Sequence, residues 1–450
     1  MTVLLDKLQK QFKNKKVLIV GLGLQAGGVG LARFFSKLGA RVKVTDLRQE
    51  TDLSKSINQL KSAAVEFILG EHRLEDFLEA DYIFKGPSVP WTLPQLIAAK
   101  EKGIPIEMEA SFFASLSPAP IVGITGTRGK STTTTMIYEI LKNLRGNVLL
   151  GGNVSGVSTI EILERVKEGD LVIMELSSWA LSGFHQKKIS PHIAVFTNLY
   201  TDHLNYYPSV KEYFYDKKAI YIYQNKSDFF IANKRLKNEI KHDNPRSKIL
   251  YFQKEDFHSQ LKNLKGDHNL ENAAAAFTLT KVLHLDQEKA EKIIAEFKGL
   301  PYRQEIVGAI QNTIFINDTT STTPVAASYA IDTFSDSQIV LILGGNAKNL
   351  PYGDLFSRLA KIKSIVLVRG SFTDQILPNL KKQFPEKITQ VFENLDDAVK
   401  KAYEIAKELN GKVYVLFSPA ATSFSMFKNE FDRGDEFNKS VKKIITGEKK

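Results

Sequence analysis

Three apolar runs, each ending in glycine, are the feature that most constrains how this chain can fold. They occupy residues 17–20, 121–124 and 339–343, and the glycines that follow are Gly21, Gly126 and Gly344. Apolar, β-branched runs followed by glycine and then by helical periodicity are typical of buried parallel strands in α/β units. Ligands of such sheets bind at the carboxyl ends of the strands. The sequence therefore predicts an α/β fold with ligand sites at these glycines.

The length of 450 residues is too great for one hydrophobic core, so several domains are expected. Joints are predicted near residues 105–112 and around residues 299–301. They divide the chain into a first domain at 1–107, a middle domain at 108–300 and a last domain at 301–450. All three lengths are ordinary for protein domains.

Composition excludes several classes of function. The chain has no cysteine, which excludes disulfides, thiolate metal sites and a cysteine nucleophile. No apolar run approaches the roughly 20 residues of a membrane helix, and the start lacks a signal peptide, so a cytoplasmic protein is expected. The net charge of +11 suits anionic small substrates. No RNA-binding pattern of aromatic and basic residues is present, so we expect neither nucleic acid nor a membrane as partner.

The second apolar run leads into the pattern of a phosphate-binding loop. The loop and the start of the helix after it comprise Gly126, Thr127, Arg128, Gly129, Lys130, Ser131 and Thr132. Glycines allow backbone N–H groups to surround phosphate oxygens, Lys130 is placed to reach the β- and γ-phosphates, and a following hydroxyl is placed to ligate Mg²⁺. Ile124 stands where the standard pattern has glycine, so the loop is a variant. An accidental glycine-rich turn is the alternative.

Polar residues after later strands are candidates to complete a nucleotide and metal site. Glu175 ends a predicted buried strand and fits a Mg²⁺ ligand, although a solvent-facing glutamate is the alternative. His203, beside Asp202, is a candidate second ligand or a structural histidine. Asn269 and Asn272 lie three apart on a predicted alanine-rich helix and share a face, with N-capping as the alternative for Asn269.

Several motifs occur in the order found in one enzyme family. They read GITGTRGKSTTTT, LGGNVSG, MELSSW, TNLYTDHL, GDHNLEN and LPYRQE, and they resemble the central domain of the Mur ligases. The later motifs FINDTTSTTP, LILGGNAKNLPY and LFSPAATSF resemble the C-terminal domain of the branch that adds D-glutamate. The resemblance covers residues 17–437. It implies a Rossmann-like N-terminal domain, a central domain like the P-loop ATPases with a mostly parallel sheet, and a Rossmann-like C-terminal domain.

The resemblance also implies a reaction. Members of this family use ATP to phosphorylate the carboxylate of a UDP-linked substrate, here UDP-N-acetylmuramoyl-L-alanine, and the amine of glutamate attacks the acyl phosphate. The product is an amide, made in the cytoplasm as a precursor of peptidoglycan. ATP, two Mg²⁺ ions and a carbamylated lysine at Lys217 are the implied cofactors. The enzyme is expected to act as a monomer.

Site residues follow from the family positions that this sequence matches. The catalytic and metal-binding set is Lys130, Ser131, Glu175, His203 and Lys217. Further positions expected to contact ATP are Asn269, Asn272, Arg303 and Asp318. Positions expected to contact the UDP substrate are Gly23, Leu24, Gln25, Asp46, Leu47, Arg48, Ser88, Asn153 and Ser177. Positions expected to contact the amino acid are Thr322, Lys348 and Ser423.

Departures from the family pattern leave the acceptor open. Thr320 replaces a lysine, Tyr302 a histidine, Ala180 a glutamine, and Glu430 stands where an aromatic residue is usual. A superfamily ligase that adds L-glutamate or another amino acid is therefore one alternative. An NAD-dependent oxidoreductase is another, suggested by the glycines of residues 21–27, although Ala26 interrupts the strict motif. A non-catalytic nucleotide switch is the third.

Overall fold

The structure, a computed structural model, describes residues 3–23, 26–154, 156–200, 202, 206–348, 350–423 and 426–447. It forms two compact units. The first consists of the chain up to Ser259 and of Asp267–Ile294, and the second consists of Gln260–Gly266 and the chain from Ala295 onward. Each predicted domain holds one sheet, which confirms the α/β class. The boundaries at residues 107 and 300 stay a prediction.

The N-terminal sheet of the first unit has the strand order β3-β2-β1-β4-β5, with every neighbouring pair parallel. Its strands are β1 (Lys16–Val20), β2 (Arg41–Asp46), β3 (Val65–Leu69), β4 (Tyr82–Lys85) and β5 (Ile106–Glu107). Its helices are α1 (Val3–Phe12), α2 (Ala26–Lys37), α3 (Glu50–Asn58), α4 (Leu74–Glu79), α5 (Pro94–Glu101) and α6 (Glu109–Leu116). Alternate residues of β1 are buried in two different clusters, as expected for a strand covered on both faces.

The central sheet of the first unit has the order β11-β10-β9-β6-β8-β7 and is also parallel throughout. Its strands are β6 (Ile121–Thr125), β7 (Val148–Gly152), β8 (Leu171–Glu175), β9 (Ile193–Phe196), β10 (Phe229–Asn233) and β11 (Lys248–Phe252). The helices around it are α7 (Lys130–Leu144), α8 (Ser178–Lys187), α9 (Val210–Lys218), α10 (Lys237–Lys241), α11 (Asp267–Val282) and α12 (Gln287–Glu296). The phosphate loop joins β6 to α7. Strand β6 lies in the interior of the sheet, between β9 and β8.

The sheet of the second unit has the order β12-β13-β17-β14-β15-β16. Its strands are β12 (Glu305–Ile310), β13 (Thr313–Asn317), β14 (Gln338–Gly344), β15 (Ser364–Val368), β16 (Ile388–Phe392) and β17 (Val413–Phe417). Its helices are α13 (Pro324–Thr333), α14 (Gly353–Leu359), α15 (Ser371–Gln383), α16 (Leu395–Glu408) and α17 (Glu430–Gly447). The edge strand β12 pairs with β13 in antiparallel fashion, while the other neighbours are parallel.

The structure confirms the three apolar runs as β1, β6 and β14, each buried in its sheet. It also confirms that glycine follows the first two and ends the third. Within the described residues, no helix has the length and apolar character that crossing a bilayer demands.

Candidate active site

Backbone geometry makes the two glycines of the phosphate loop necessary. Gly126 has φ +150°, and Gly129, which caps the N-terminus of α7, has the left-handed φ of +79°. A Cβ atom at Gly129 would collide with Oδ1 of Asn272, and one at Gly126 would collide with Oγ1 of Thr197. The loop is therefore a close-fitting backbone cradle that opens onto a helix N-terminus, which is the arrangement that binds phosphate.

The groups expected to meet phosphate have partners within the protein. Nζ of Lys130 donates hydrogen bonds to the carbonyl oxygens of Gly126 and Thr127, both at 3.0 Å. The N–H of Thr127 donates to the carbonyl of Asn198 at 2.9 Å, and the N–H of Arg128 donates to Oδ1 of Asn198 at 2.8 Å. Asn198 thus supports the loop from the segment after β9. No sequence motif indicated this role of Asn198, because only the fold brings it to the loop.

Replacing Gly129 by alanine is expected to raise the KM for ATP at least tenfold. The left-handed backbone costs a residue with Cβ roughly 1–2 kcal/mol, and the collision with Asn272 adds to that cost. Steady-state kinetics with varied ATP measure the effect. Gly146→Ala is the matched control, because Gly146 also has a left-handed φ, +69°, but its Cβ would meet nothing within 4 Å. An equal rise in KM for both variants would show that the contact with Asn272 is unimportant.

Two predicted metal ligands lie at the ends of neighbouring elements. Glu175 ends β8, is only 3% exposed and pairs in register with Ile124 of β6. Its Oε1 accepts a hydrogen bond from Nδ2 of Asn153 at 3.3 Å. Ser131 lies in the first turn of α7 and is half-buried, as is Thr132. A buried carboxylate and a hydroxyl near a phosphate loop are oxygen donors of the kind that Mg²⁺ prefers, so these residues fit the ion.

The second metal position was predicted from His203. His203 lies outside the described residues. Among the residues that the structure does describe, no group of three or more histidine, aspartate or glutamate side chains is arranged to hold a metal ion. Ser131 and Glu175 offer oxygen donors at this site, and oxygens of substrate phosphates are common further ligands of Mg²⁺.

Lys217 of α9 is buried directly against the phosphate loop. It is 1% exposed, and its Nζ donates a hydrogen bond to the carbonyl oxygen of Gly126 at 2.9 Å. Burial lowers the pKa of Lys217 well below its ordinary value, and the charge of Lys130 lowers it further. The carboxylates of Asp202, Asp216 and Glu175 oppose this shift without overcoming it. The amine of Lys217 is therefore neutral over a wider pH range than an ordinary lysine.

The neighbouring Lys218 has a different environment. Its Nζ forms an ion pair with Oδ1 of Asp243 at 2.6 Å, and the hydroxyl of Tyr221 donates to Oδ2 of the same carboxylate at 2.5 Å. Of the two adjacent lysines, Lys217 is thus the one at the loop. Lys217 is also the lysine that the family resemblance indicates for the carbamylated position.

The two asparagines of α11 lie beneath the start of α7. Asn269 and Asn272 are 6% and 4% exposed, and Nδ2 of Asn272 donates to Oδ1 of Asn269 at 3.3 Å. Oδ1 of Asn272 also accepts a hydrogen bond from the hydroxyl of Thr133 at 3.3 Å. Because Asn269 is the third residue of its helix, the N-capping alternative is wrong. Asn272 contacts the loop region, and a contact of either side chain with ATP stays a prediction.

Asp46, the last residue of β2, organises the loop that follows β1 in the N-terminal sheet. Oδ2 of this buried carboxylate accepts hydrogen bonds from the N–H of Leu22 at 3.0 Å and of Gly23 at 3.3 Å. Oδ1 accepts from the N–H of Arg48 at 3.0 Å. Asp46 therefore shapes the loop after β1, while Leu47 is 63% exposed beside it. Leu24 and Gln25 lie outside the described residues.

The remaining residues predicted to contact the UDP substrate differ in how available they are. Ser88 is exposed in the turn after β4, and Asn153 is exposed after β7. Oγ of Ser177 instead accepts a hydrogen bond from the N–H of Ala180 at 3.1 Å and so caps α8. The structure gives Ser177 a role in starting this helix, and its contact with substrate stays a prediction.

In the second unit, Asp318 is buried in a network of its own. Its carboxylate accepts hydrogen bonds from the hydroxyl of Ser321 at 2.5 Å, the hydroxyl of Ser418 at 2.8 Å and the N–H of Gln304 at 3.2 Å. Burial raises the pKa of Asp318 to about 6, against these hydrogen bonds. Arg303, the other ATP-contacting residue predicted in this part of the chain, is exposed.

The residues predicted to bind the amino acid share loops at the carboxyl ends of β13, β14 and β17. Nζ of Lys348 donates a hydrogen bond to Oγ1 of Thr322 at 2.9 Å, so these two predicted residues are in contact. Ser423 is 3% exposed, and its hydroxyl has no hydrogen-bond partner among the described residues. Thr320, which replaces the family's lysine, donates instead to the carbonyl of Tyr302 at 2.9 Å.

A buried arginine, absent from the sequence predictions, connects these loops. Arg433 of α17 is 3% exposed and donates hydrogen bonds to the carbonyls of Thr319 at 2.8 Å and Ala421 at 3.0 Å. Its Nε donates to Oγ1 of Thr319 at 3.0 Å. Burial lowers the pKa of Arg433 to about 10. Arg433 thus fixes the loop before Thr322 to the loop before Ser423. The only sign of Arg433 in the sequence is its place in the run of charged residues at 428–436.

Two family models match the N-terminal and central parts of the chain. The family model described as the Mur ligase middle domain matches residues 124–264, and the one described as the N-terminal domain of MurD-like Mur ligases matches residues 15–107. The UDP-N-acetylmuramoylalanine–D-glutamate ligase of Borreliella burgdorferi (strain ZS7) is 35% identical, over 97% of this chain and 100% of that protein. The ligase of the same name from Bacillus cereus (strain G9842) is 33% identical, over 98% and 100%.

Solved structures share the fold at lower identity. The UDP-N-acetylmuramate–alanine ligase of Thermotoga maritima has a TM-score of 0.59 and 19% identity, covering 95% of this chain and 99% of that one. The MurF ligase of Thermotoga maritima in complex with ADP has a TM-score of 0.58 and 17% identity, covering 98% and 100%. On the evidence of the near-full-length sequence relatives, with the fold in agreement, this chain belongs to the Mur ligase family, in the branch of the UDP-N-acetylmuramoylalanine–D-glutamate ligases.

Proposed function

We propose that this protein is an ATP-dependent ligase that joins UDP-N-acetylmuramoyl-L-alanine to D-glutamate through an acyl phosphate. The observation that carries the proposal is the buried amine of Lys217, held 2.9 Å from the carbonyl of Gly126 in a phosphate loop. A loop that merely binds nucleotide does not need a second buried lysine, with a lowered pKa, in contact with it. The family assignment supports the reaction, and the relatives' names supply the substrates.

The chemistry explains why such a site collects positive charge. A carboxylate is a poor acyl donor because its leaving group would be oxide, and transfer of the γ-phosphoryl group of ATP supplies a better one. Two anions must approach each other, so Lys130 is assigned to offset charge on the phosphates. Mg²⁺, when bound, would neutralise further charge on the phosphate oxygens. Ser131 and Glu175 are assigned to hold it, with His203 as a further ligand.

We further propose that Lys217 is carbamylated in the active enzyme. A neutral amine attacks CO₂, forming an N–C bond and releasing one proton, and the product is a carbamate with a carboxylate-like charge. The lowered pKa of Lys217 provides the neutral amine that this step needs. The modified side chain would add oxygen donors where the described residues otherwise lack a cluster of metal ligands. Unmodified, a charged lysine would repel the ion.

Substrate positions are assigned by the same reasoning. Gly23, Leu47, Arg48, Ser88 and Asn153 are proposed to line the site of the UDP substrate. Thr322, Lys348 and Ser423 are proposed to bind the carboxylates of glutamate, and the contact between Lys348 and Thr322 supports this grouping. Asn269, Asn272, Arg303 and Asp318 are proposed to contact ATP. A monomeric enzyme in the cytoplasm, acting in peptidoglycan precursor synthesis, is the expected setting.

Phosphate release and amide formation test the proposal directly. The protein is incubated with ATP, Mg²⁺, UDP-N-acetylmuramoyl-L-alanine and, in turn, D-glutamate, L-glutamate, D-aspartate and glutamine. We expect phosphate and amide in equal amounts, only with both substrates present and fastest with D-glutamate. Phosphate release that ignores the UDP substrate would contradict the ligase assignment. Preference for another amino acid would leave the ligase reaction in place and correct the acceptor.

A further inference from the structure

Two cations stand at the proposed amino-acid site of the second unit. Burial lowers the pKa of Lys348, and the charge of Arg433 lowers it further. Burial likewise lowers the pKa of Arg433. Among the described residues, the hydrogen-bond partners of both cations are uncharged: Lys348 donates to Thr322, and Arg433 donates to Thr319 and Ala421. Desolvated cations without a close counter-ion are unfavourable, so the site attracts carboxylates.

A carboxylate on α17 is held next to Arg433. Glu430 is the first residue of α17, and Arg433 follows it by three positions, so the two lie on the same face of the helix. The hydroxyl of Thr319 links the backbone of Glu430 to the side chain of Arg433. It donates to the carbonyl oxygen of Glu430 at 3.0 Å and accepts from Nε of Arg433 at 3.0 Å. These two hydrogen bonds fix the first turn of the helix, and Glu430 with it, beside Arg433.

The charge of Glu430 acts on the cations without pairing closely with either. It raises the pKa of Lys348 and of Arg433, against the effect of burial. The side chain is half-buried and makes no ion pair in the described part of the chain. Glu430 therefore offsets part of the positive charge of Lys348 and Arg433 without a direct salt bridge.

We propose that Glu430 sets the affinity and charge selectivity of the acceptor site by competing with the carboxylates of the incoming amino acid for Lys348 and Arg433. This inference rests on the proposed function, since it takes glutamate as the acceptor. With Glu430 charged, the three side chains together carry one positive charge, and without it they carry two. An acceptor with two carboxylates, such as glutamate, therefore gains more affinity from the removal of the Glu430 charge than glutamine, which has one carboxylate.

Glu430→Gln tests the inference in the full-length enzyme. We expect its KM for D-glutamate to fall about five- to tenfold, as expected for one partly screened charge at short range, with kcat nearly unchanged. The KM for D-glutamine, which lacks the side-chain carboxylate but keeps the α-carboxylate, is expected to fall less, by no more than about twofold. The decrease in KM for glutamate is expected to shrink when the salt concentration is raised from 0.05 to 0.5 M.

Glu436→Gln is the matched control. It removes the same charge from the same helix, but the side chain of Glu436 is 45% exposed and pairs with Lys439 at 2.6 Å. An unchanged or higher KM for glutamate in Glu430→Gln, or an equal decrease in both variants, would overturn the inference. A melting temperature close to that of the original protein shows that the variant is folded. Lack of glutamate-dependent turnover in the unaltered protein would instead contradict the proposed function itself.

Discussion

Lys130→Ala is expected to reduce kcat by about 10²–10³, the range found when one electrostatic donor is removed from a transition state. The reason lies in position. Lys130 begins α7, and its Nζ lies at 3.0 Å from two loop carbonyls, where the phosphates of ATP are expected to bind. Without the amine, charge that develops during phosphoryl transfer lacks its nearest cation. Phosphate release with saturating substrates measures the effect.

Lys142→Ala provides the comparison for this variant. Lys142 is an exposed residue of the same helix, and its Nζ lies 5.8 Å from the ring centre of Tyr138. We expect kcat within twofold of the original for Lys142→Ala, because a solvated surface lysine contributes little. Comparable activity of Lys130→Ala and Lys142→Ala would mean that the loop does not support the transfer step.

Lys217→Ala is expected to cause a similarly large loss, with partial recovery when a short-chain carboxylic acid such as acetate or propionate is added. The substitution removes the proposed carbamate and opens space beside Gly126, which Lys217 now contacts. A small carboxylate can enter that space and replace the missing oxygen donors. The measurement is turnover against the concentration of added acid. A mass increase of about 44 Da on the original protein in bicarbonate, expected for added CO₂, gives an independent test of the modification.

Lys218→Ala controls for disturbance of α9. It removes the ion pair with Asp243 but leaves the residue at the loop intact. We expect turnover within a few-fold of the original and no response to added carboxylic acid. Recovery of Lys218→Ala by acetate, or no recovery of Lys217→Ala at any concentration, would count against carbamylation. The activity of the original protein should also fall when CO₂ is stripped from the buffer and return with bicarbonate.

The sequence predicted the parts of the fold that depend on local patterns. The apolar runs before glycine appear as β1, β6 and β14, and the loop after β6 has the backbone that its glycines require. Glu175 was predicted as a metal ligand because it ends a predicted strand, which is a local signal, whereas Lys217 was predicted from the family resemblance. Sheet order is different, because it depends on which strands meet in space, and no single motif carries that information.

Residues that act through distant contacts could not be found in this way. Asn198 supports the phosphate loop from 70 positions away, and Arg433 reaches Thr319 across 114 positions. A sequence motif also does not show whether a polar side chain already forms hydrogen bonds within the protein. Asp46 and Ser177 matched substrate positions, yet their oxygens accept hydrogen bonds from neighbouring N–H groups. Only the folded chain reveals which polar atoms remain for a ligand.

The hydrogen bonds within the phosphate loop have a consequence for how tightly nucleotide can bind. The amine of Lys130 and the N–H groups of Thr127 and Arg128 are already satisfied before any phosphate arrives. Binding therefore exchanges one set of contacts for another, and only their difference appears as affinity. The apparent dissociation constant is the intrinsic one divided by the fraction of molecules whose loop has released these contacts. The same hydrogen bonds that hold the loop in its shape therefore reduce the net gain in free energy when nucleotide binds.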